Sequence, residues 1–321
     1  MPVPAIHCGK TGITFLVLFL TLMVSCAHYS HELNSLTVSG LPGNVEIPLV
    51  PFYPQEAYQC GPAVMAMVLQ WTKANVNPQD LIPKVFVPEK KGSLQPALIS
   101  VARRYNRLAY PIKGVEALLK ELAAGHPVII LQNLGLQWFP RWHYSVPIGY
   151  NLAKGIVILH SGKEARRHMG WTLFMRTWKR ADYWGLVVLP SGQLPASADE
   201  QSYLHAVLGL EQTKQFNGAA TAYTAALERW HSSLGALMGV GNCRYALGDL
   251  IGAEQAFRHA TEAHPQSGAS FNNLAHVLAE QGRYADALQM AIRAVDIGGA
   301  NKLLYLQTLQ EIQTIVKTVP E

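Results

Sequence analysis

Cysteine is scarce in this chain, with 4 residues among 321. That number cannot supply the dense disulfide framework of a small secreted domain. Charge is sparse as well: Asp, Glu, Lys and Arg make up 15% of the sequence, and the net charge of +5 is not gathered into basic runs. Arg103-Arg104 and Arg166-Arg167 are isolated pairs of the kind found on solvated surfaces, so there is no nucleic-acid footprint. Histidines lack company too. His28 and His31 fall in a polar tether, and His160 and His168 have no partners at metal-ligand spacing. No metal or other cofactor is expected. A transporter segment and an ATP-binding motif are also missing.

The long apolar stretch Ile13 to Val24, interrupted only by Thr14 and Thr21, is too short to span a bilayer comfortably. Its length suits the core of an export signal, with Lys10 as the positive flank. It ends in Met23-Val-Ser-Cys26, which resembles a bacterial lipobox with methionine in the usual leucine position. The resemblance implies a signal peptide over residues 1–26, cleavage before Cys26, and lipid on its thiol. Ala27 after the cysteine implies sorting to the outer membrane, facing the periplasm. A plain secretory signal or an uncleaved anchor is the other reading. On the lipoprotein reading Cys8 is lost and only Cys60 and Cys243 remain as thiols. They fall in different regions, so pairing is not expected, and an exported free thiol invites a reactive role.

Length alone suggests two domains. Residues 27–46 are a polar tether, and residues 47–190 mix helical and strand patterns. Residues 191–199, rich in Pro, Ser and Ala, read as a linker, and residues 200–318 are helical without strands. That last region repeats. Gly248 and Gly282, Ala253 and Ala287, and Ala260 and Ala294 are each 34 apart, and Ala219, Tyr223 and Ala226 match Ala253, Phe257 and Ala260 one period earlier. This resembles the tetratricopeptide (TPR) repeat. Three repeats are expected, at 200–233, 234–267 and 268–301, then a capping helix. Lys214 stands where the first repeat should have glycine. The resemblance implies an all-α solenoid that binds a protein or peptide on its concave face. The bland alternative is an array that only packs on its neighbour. Cys243 is expected to be buried.

In the middle region, Cys60-Gly-Pro62 precedes a nearly all-apolar run, Ala63 to Trp71. Pro62 suits the first helical position, which puts Cys60 just before the helix, where the dipole and free N–H groups favour a thiolate. His143 opens a period-2 stretch with His143, Ser145 and Pro147 on one face. A turn near Asn151–Gly155 and the run Ile156–Gly162 complete a hairpin. Further strands are expected at Val128–Gln132 and Trp184–Leu189, and helices at Leu94–Tyr105, capped by Ser93, and Val115–Ala124, ended by Gly125. Pro147 confines its strand to an edge or a bulge.

Tyr58-Gln-Cys60-Gly-Pro-Ala, His143-Tyr-Ser-Val-Pro-Ile-Gly-Tyr-Asn151 and Gly125-His-Pro-Val-Ile-Ile-Leu-Gln-Asn133 together resemble the C39-like cysteine peptidases over residues 47–190. The resemblance implies an α+β papain-like domain with an N-terminal helical lobe and an antiparallel sheet. It makes Cys60 the nucleophile and His143 the general base and acid. Gln55 becomes the oxyanion donor, one residue nearer the cysteine than usual, with Gln59 the poorer substitute. The chain departs from the family at the third position, where Asp is usual and Ser161 stands. Serine can orient the imidazole but supplies no charge. His160 should face the other way, and Asn151 could help only if its turn folded back. Trp138 and Trp142 either line a substrate groove or simply pack on a loop. The expected function is a lipid-anchored thiol peptidase acting on a peptide or protein, with the repeats recruiting a partner. The alternatives are a catalytically weak or inactive peptidase-like adaptor, or another acyl transfer on the same pair.

Overall fold

The computed structural model describes residues 40–55, 59–90 and 92–318. The expected signal, Cys26 and residues 27–39 of the tether lie outside them.

Three adjacent apolar faces build the first half of the chain. Helix α1, Cys60–Trp71, is buried from Gly61 to Leu69. It starts earlier than expected, so Pro62 is the third helical residue. The first bond of the helix runs from the Ala63 N–H to the Gln59 carbonyl, and Pro62 therefore forfeits nothing. Helices α2 (Pro78–Val85), α3 (Gln95–Arg104) and α4 (Val115–Ala123) complete the lobe. Leu94, not Ser93, caps α3, and makes no side-chain bond. Ser93 instead belongs to a two-residue strand, β3 (Gly92–Ser93), paired with β2 (Phe86–Val87).

The main sheet is antiparallel. Its strands are β1 (Asn44–Glu46), β4 (Arg107–Lys113), β5 (Val128–Asn133), β6 (Trp142–Asn151), β7 (Ile156–Ser161), β8 (Glu164–Gly170) and β9 (Trp184–Pro190), in the order β4-β9-β5-β6-β7-β8. β6 is long enough to pair with β5 near its start and with β1 near its end. The register slips between Pro147 and Gly149, the bulge that a strand proline requires. Gly149 is needed there, because a Cβ would sit 2.3 Å from the Val45 carbonyl oxygen. Strands β4 and β8 escaped the period-2 reading. Both are edges: β4 carries Pro111 and β8 is mostly exposed and charged. Helix α5, Trp171–Lys179, also unforeseen, packs on the sheet through Phe174 and Trp178.

Seven helices follow: α6 (Glu200–Gln212), α7 (Phe216–Arg229), α8 (Leu234–Ala246), α9 (Leu250–Ala263), α10 (Gly268–Glu280), α11 (Tyr284–Ile297) and α12 (Lys302–Thr318). The alanines at the repeated slots are fully buried, and Gly239 and Gly241 lie against the rings of Tyr223 and Phe257, where a Cβ would not fit. Cys243 is buried. One continuous core runs from the sheet domain into the first helices. Arg103 covers Gly209 and Asn106 covers Gly218, each filling the space of a missing side chain. The linker is pinned: Ser197 donates its N–H and hydroxyl to the buried Glu121, at 2.7 and 2.6 Å.

The turns inside the three helical hairpins are left-handed, at φ +58° for Lys214 and +78° for Gly248 and Gly282. Only lysine carries a Cβ penalty there. Lys214→Gly should therefore stabilise the protein by about 0.5–1 kcal/mol in urea unfolding, after the extra chain entropy of glycine is discounted, and Lys214→Val should destabilise it.

Candidate active site

The buried α1 fixes the partly buried Cys60 at its mouth. Gly61 is what allows this placement, since a Cβ there would lie 2.1 Å from the Ser93 hydroxyl. Strand β6 brings His143 from the other side. Its Nε2 is 2.9 Å from the Ser161 hydroxyl on β7. Nδ1 has no hydrogen-bond partner among the described residues.

Gln55 ties these pieces together. Its backbone N–H donates to the Gly162 carbonyl at 3.0 Å, and its side-chain Oε1 accepts from the Gly162 N–H at 3.2 Å. Its Nε2 donates to the Tyr144 carbonyl at 3.2 Å. One side chain thus joins the segment before Cys60, the residue after His143 and the residue after Ser161. Its second amide hydrogen is left for another acceptor. Gln59 sits at the N-cap of α1 without a side-chain cap bond.

Electrostatics alter the expectation of a resting thiolate. Burial pushes the Cys60 thiol above its ordinary pKa, and the backbone amides of Tyr144, Gly61 and Cys60 offset this only in part. The helix start acts with the expected sign, yet desolvation outweighs it. His143 is pulled down to about 4, first by burial and then by the Arg167 guanidinium. Both groups are neutral near pH 7. No hydrogen bond joins them; the group facing the sulfur is the Tyr144 amide.

His160 does face the other way. Its Nδ1 accepts from the Arg166 N–H at 3.1 Å, so the proton sits on Nε2, which donates to the Val50 carbonyl at 3.1 Å. Asn151 stays in its turn, accepting from the Lys154 N–H, and does not approach His143. Trp138 and Trp142 are exposed. Behind the histidine strand, Ser145 donates to Gln132 at 2.8 Å and Gln132 donates to Thr177 at 2.8 Å, a buried chain that locks β6 to β5 and α5. On the other flank of Cys60, a cavity of about 390 Å³ is lined by Tyr53, Gln59, Pro62, Ala63 and Ile82 among others. The site residues that sequence reasoning missed are Tyr144, through its backbone, and Arg167.

Residues 47–184 match the Peptidase_C39 like family, and residues 268–298 match the tetratricopeptide repeat. The chain carries a C39-like peptidase domain followed by TPR repeats. A putative C39-like peptidase from Bacillus anthracis is 19% identical and has a TM-score of 0.40, covering 46% of this chain and 97% of its own. The Yersinia enterocolitica type III secretion chaperone SycD, in complex with a peptide of the translocator YopD, is 17% identical with a TM-score of 0.34, covering 36% and 93%. The TPR2B domain of yeast Sti1 is 16% identical with a TM-score of 0.33, covering 34% and 91%. No curated protein matches the chain. Ser161 offers a hydroxyl to the histidine, where the sequence resemblance implied a carboxylate.

A carboxylate at that position would favour the protonated imidazole. In the native protein the His143 ring protons should titrate by NMR with a midpoint near 4. Ser161→Asp should raise that midpoint by about 1–3 pH units.

Proposed function

We propose that the chain is a thiol peptidase working through an initially neutral Cys60–His143 pair. The observation that carries this reading is the 2.9 Å contact between His143 Nε2 and Ser161, which orients the ring while leaving Nδ1 for the thiol proton. The match to the C39-like family supports it.

In the first step the Cys60 sulfur bonds to the substrate's acyl carbon as its proton passes to His143 Nδ1. The carbonyl electron pair moves onto oxygen, where the free Gln55 amide hydrogen and the N–H of Cys60 are the donors. Collapse expels the amine, which takes the proton from His143 and leaves a thioester on Cys60. Water then attacks the thioester, giving a proton to His143. The acid departs as the sulfur recovers that proton. The Ser161 hydroxyl keeps the ring aligned throughout but adds no charge, so the imidazolium that forms in each step is stabilised less than beside a carboxylate. Catalysis should therefore be slow, and transfer of the acyl group to an added amine uses the same intermediate.

The repeats serve recruitment. A cavity of about 300 Å³ lined by Asn242, Tyr245, Phe257, Asn273, His276 and Val277 supports a polypeptide occupant. The lipobox-like segment supports an anchor on Cys26 at the outer membrane. A second reading is a weak or inactive adaptor, favoured by the raised thiol and the lowered imidazole.

A peptide-derived thiol probe on the full chain tests the first reading. It should form an adduct on Cys60 and none on Cys243, which is buried with its thiol pushed up to about 12. Cys60→Ala should abolish labelling and peptide hydrolysis, and His143→Ala should lower hydrolysis by about 10²–10⁴-fold. Equal labelling of the two cysteines, or no acyl adduct with any peptide probe, points to the adaptor.

A further inference from the structure

The hairpin joining β5 to β6 continues past the sheet as a rigid, apolar knob. Leu136 and Phe139 exchange two backbone hydrogen bonds at 3.2 Å, and the Leu134 N–H donates to the Arg141 carbonyl at 2.9 Å. Asn133, itself buried, accepts from the N–H groups of Gly135 and Arg141, both at 2.9 Å. Arg180, just past α5, braces the base by donating to the Gly135 carbonyl at 2.7 Å. A chain that spends this many bonds on a turn is holding its side chains in place. What it holds outward is apolar: Trp138 is 81% exposed, Phe139 70% and Trp142 54%, with Leu134 and Leu136 also exposed. Exposed aromatic residues clustered this way need a partner.

The charge around the knob says which kind. Arg141 lies on it, and exposed Arg176 lies one helical turn before the bracing Arg180. Lys163 sits in the β7–β8 turn, and Arg167 on β8 carries its charge to His143. Glu164 is the single acid between residues 134 and 180, and it is paired with Arg167 at 3.6 Å. The shape decides between a peptide and a lipid surface. The side chains at its tip, Trp138 and Phe139, project into solvent with 81% and 70% of their surface exposed, whereas a bound peptide needs a groove. A projecting tip of Trp, Phe and Leu with Arg141 on it and Arg180 at its base suits the headgroup boundary of an anionic bilayer. We propose that this hairpin tip docks into an anionic membrane surface, and so turns the mouth of the Cys60–His143 site toward the bilayer. The chain length permits it. Cys26 is 18 residues before Asn44, a contour limit of about 60 Å, whereas β6, whose far end pairs with β1, spans only about 33 Å.

The seven tryptophans make the test simple, because residues 1–39 contain none. The full chain is bound to vesicles of phosphatidylglycerol and phosphatidylcholine with brominated acyl chains, and association is checked by flotation. Bromine should quench the tryptophan emission of the native chain, and equally that of Cys60→Ala, so the result does not depend on catalysis. Trp138→Phe should lose most of the quenching while the chain stays bound. Arg141→Glu with Arg176→Glu should reduce quenching, and all-phosphatidylcholine vesicles should give less. A bound chain that is not quenched, quenching unchanged in Trp138→Phe, or no vesicle association at all overturns the proposal. So does a loss of peptide hydrolysis by Trp138→Ala in vesicle-free solution without quenching in vesicles, which would make the tip a substrate surface.

Discussion

Burial of α1 is the constraint on which the site depends. Its residues from Gly61 to Leu69 are enclosed by the sheet and the small helices around it, so Cys60 cannot move without moving the core. That enclosure has two consequences of opposite sign. It holds the sulfur against the backbone of β6, as the proposed nucleophilic attack would require. It also strips water from the thiol and raises its pKa, more than the nearby amides lower it. A site of this kind gains precision and loses resting reactivity together.

The histidine side obeys the same balance. His143 is partly buried, faces the positive charge of Arg167, and receives a neutral hydroxyl where a carboxylate would be usual. Each of these disfavours the imidazolium. Under the proposed function the pair would transfer its proton during attack, with no standing ion pair at rest. Gln55 makes the geometry possible, because its backbone and side chain clip the segment before Cys60 onto β6 and the end of β7.

Much of this could be read from the residues, for reasons that differ by element. The repeats were legible because small side chains recur every 34 residues wherever helices approach closely, and the alanines at those slots are fully buried. Strands β5, β6, β7 and β9 are apolar enough to show themselves. Strands β4 and β8 do not, since edge strands carry proline and charge that period-2 reasoning treats as loop. Around the site, Cys60, His143, Gln55 and Ser161 could each be named, and the structure brings them to one edge. The part played by the Tyr144 amide carries no signal in the sequence, because every residue but proline has a backbone N–H. The net direction of the Cys60 shift was equally hidden. The helix start is a local feature, whereas desolvation depends on everything that packs around it.

The central claim is that Cys60 and His143 are both neutral at rest. The pH dependence of Cys60 alkylation by iodoacetamide, in the folded full-length protein, tests it most directly. The account predicts a rate that climbs with pH toward a midpoint above 9.0, little changed by His143→Ala. A plateau of fast alkylation between about pH 5 and 8 that vanishes in His143→Ala would reveal a standing thiolate–imidazolium pair and contradict it.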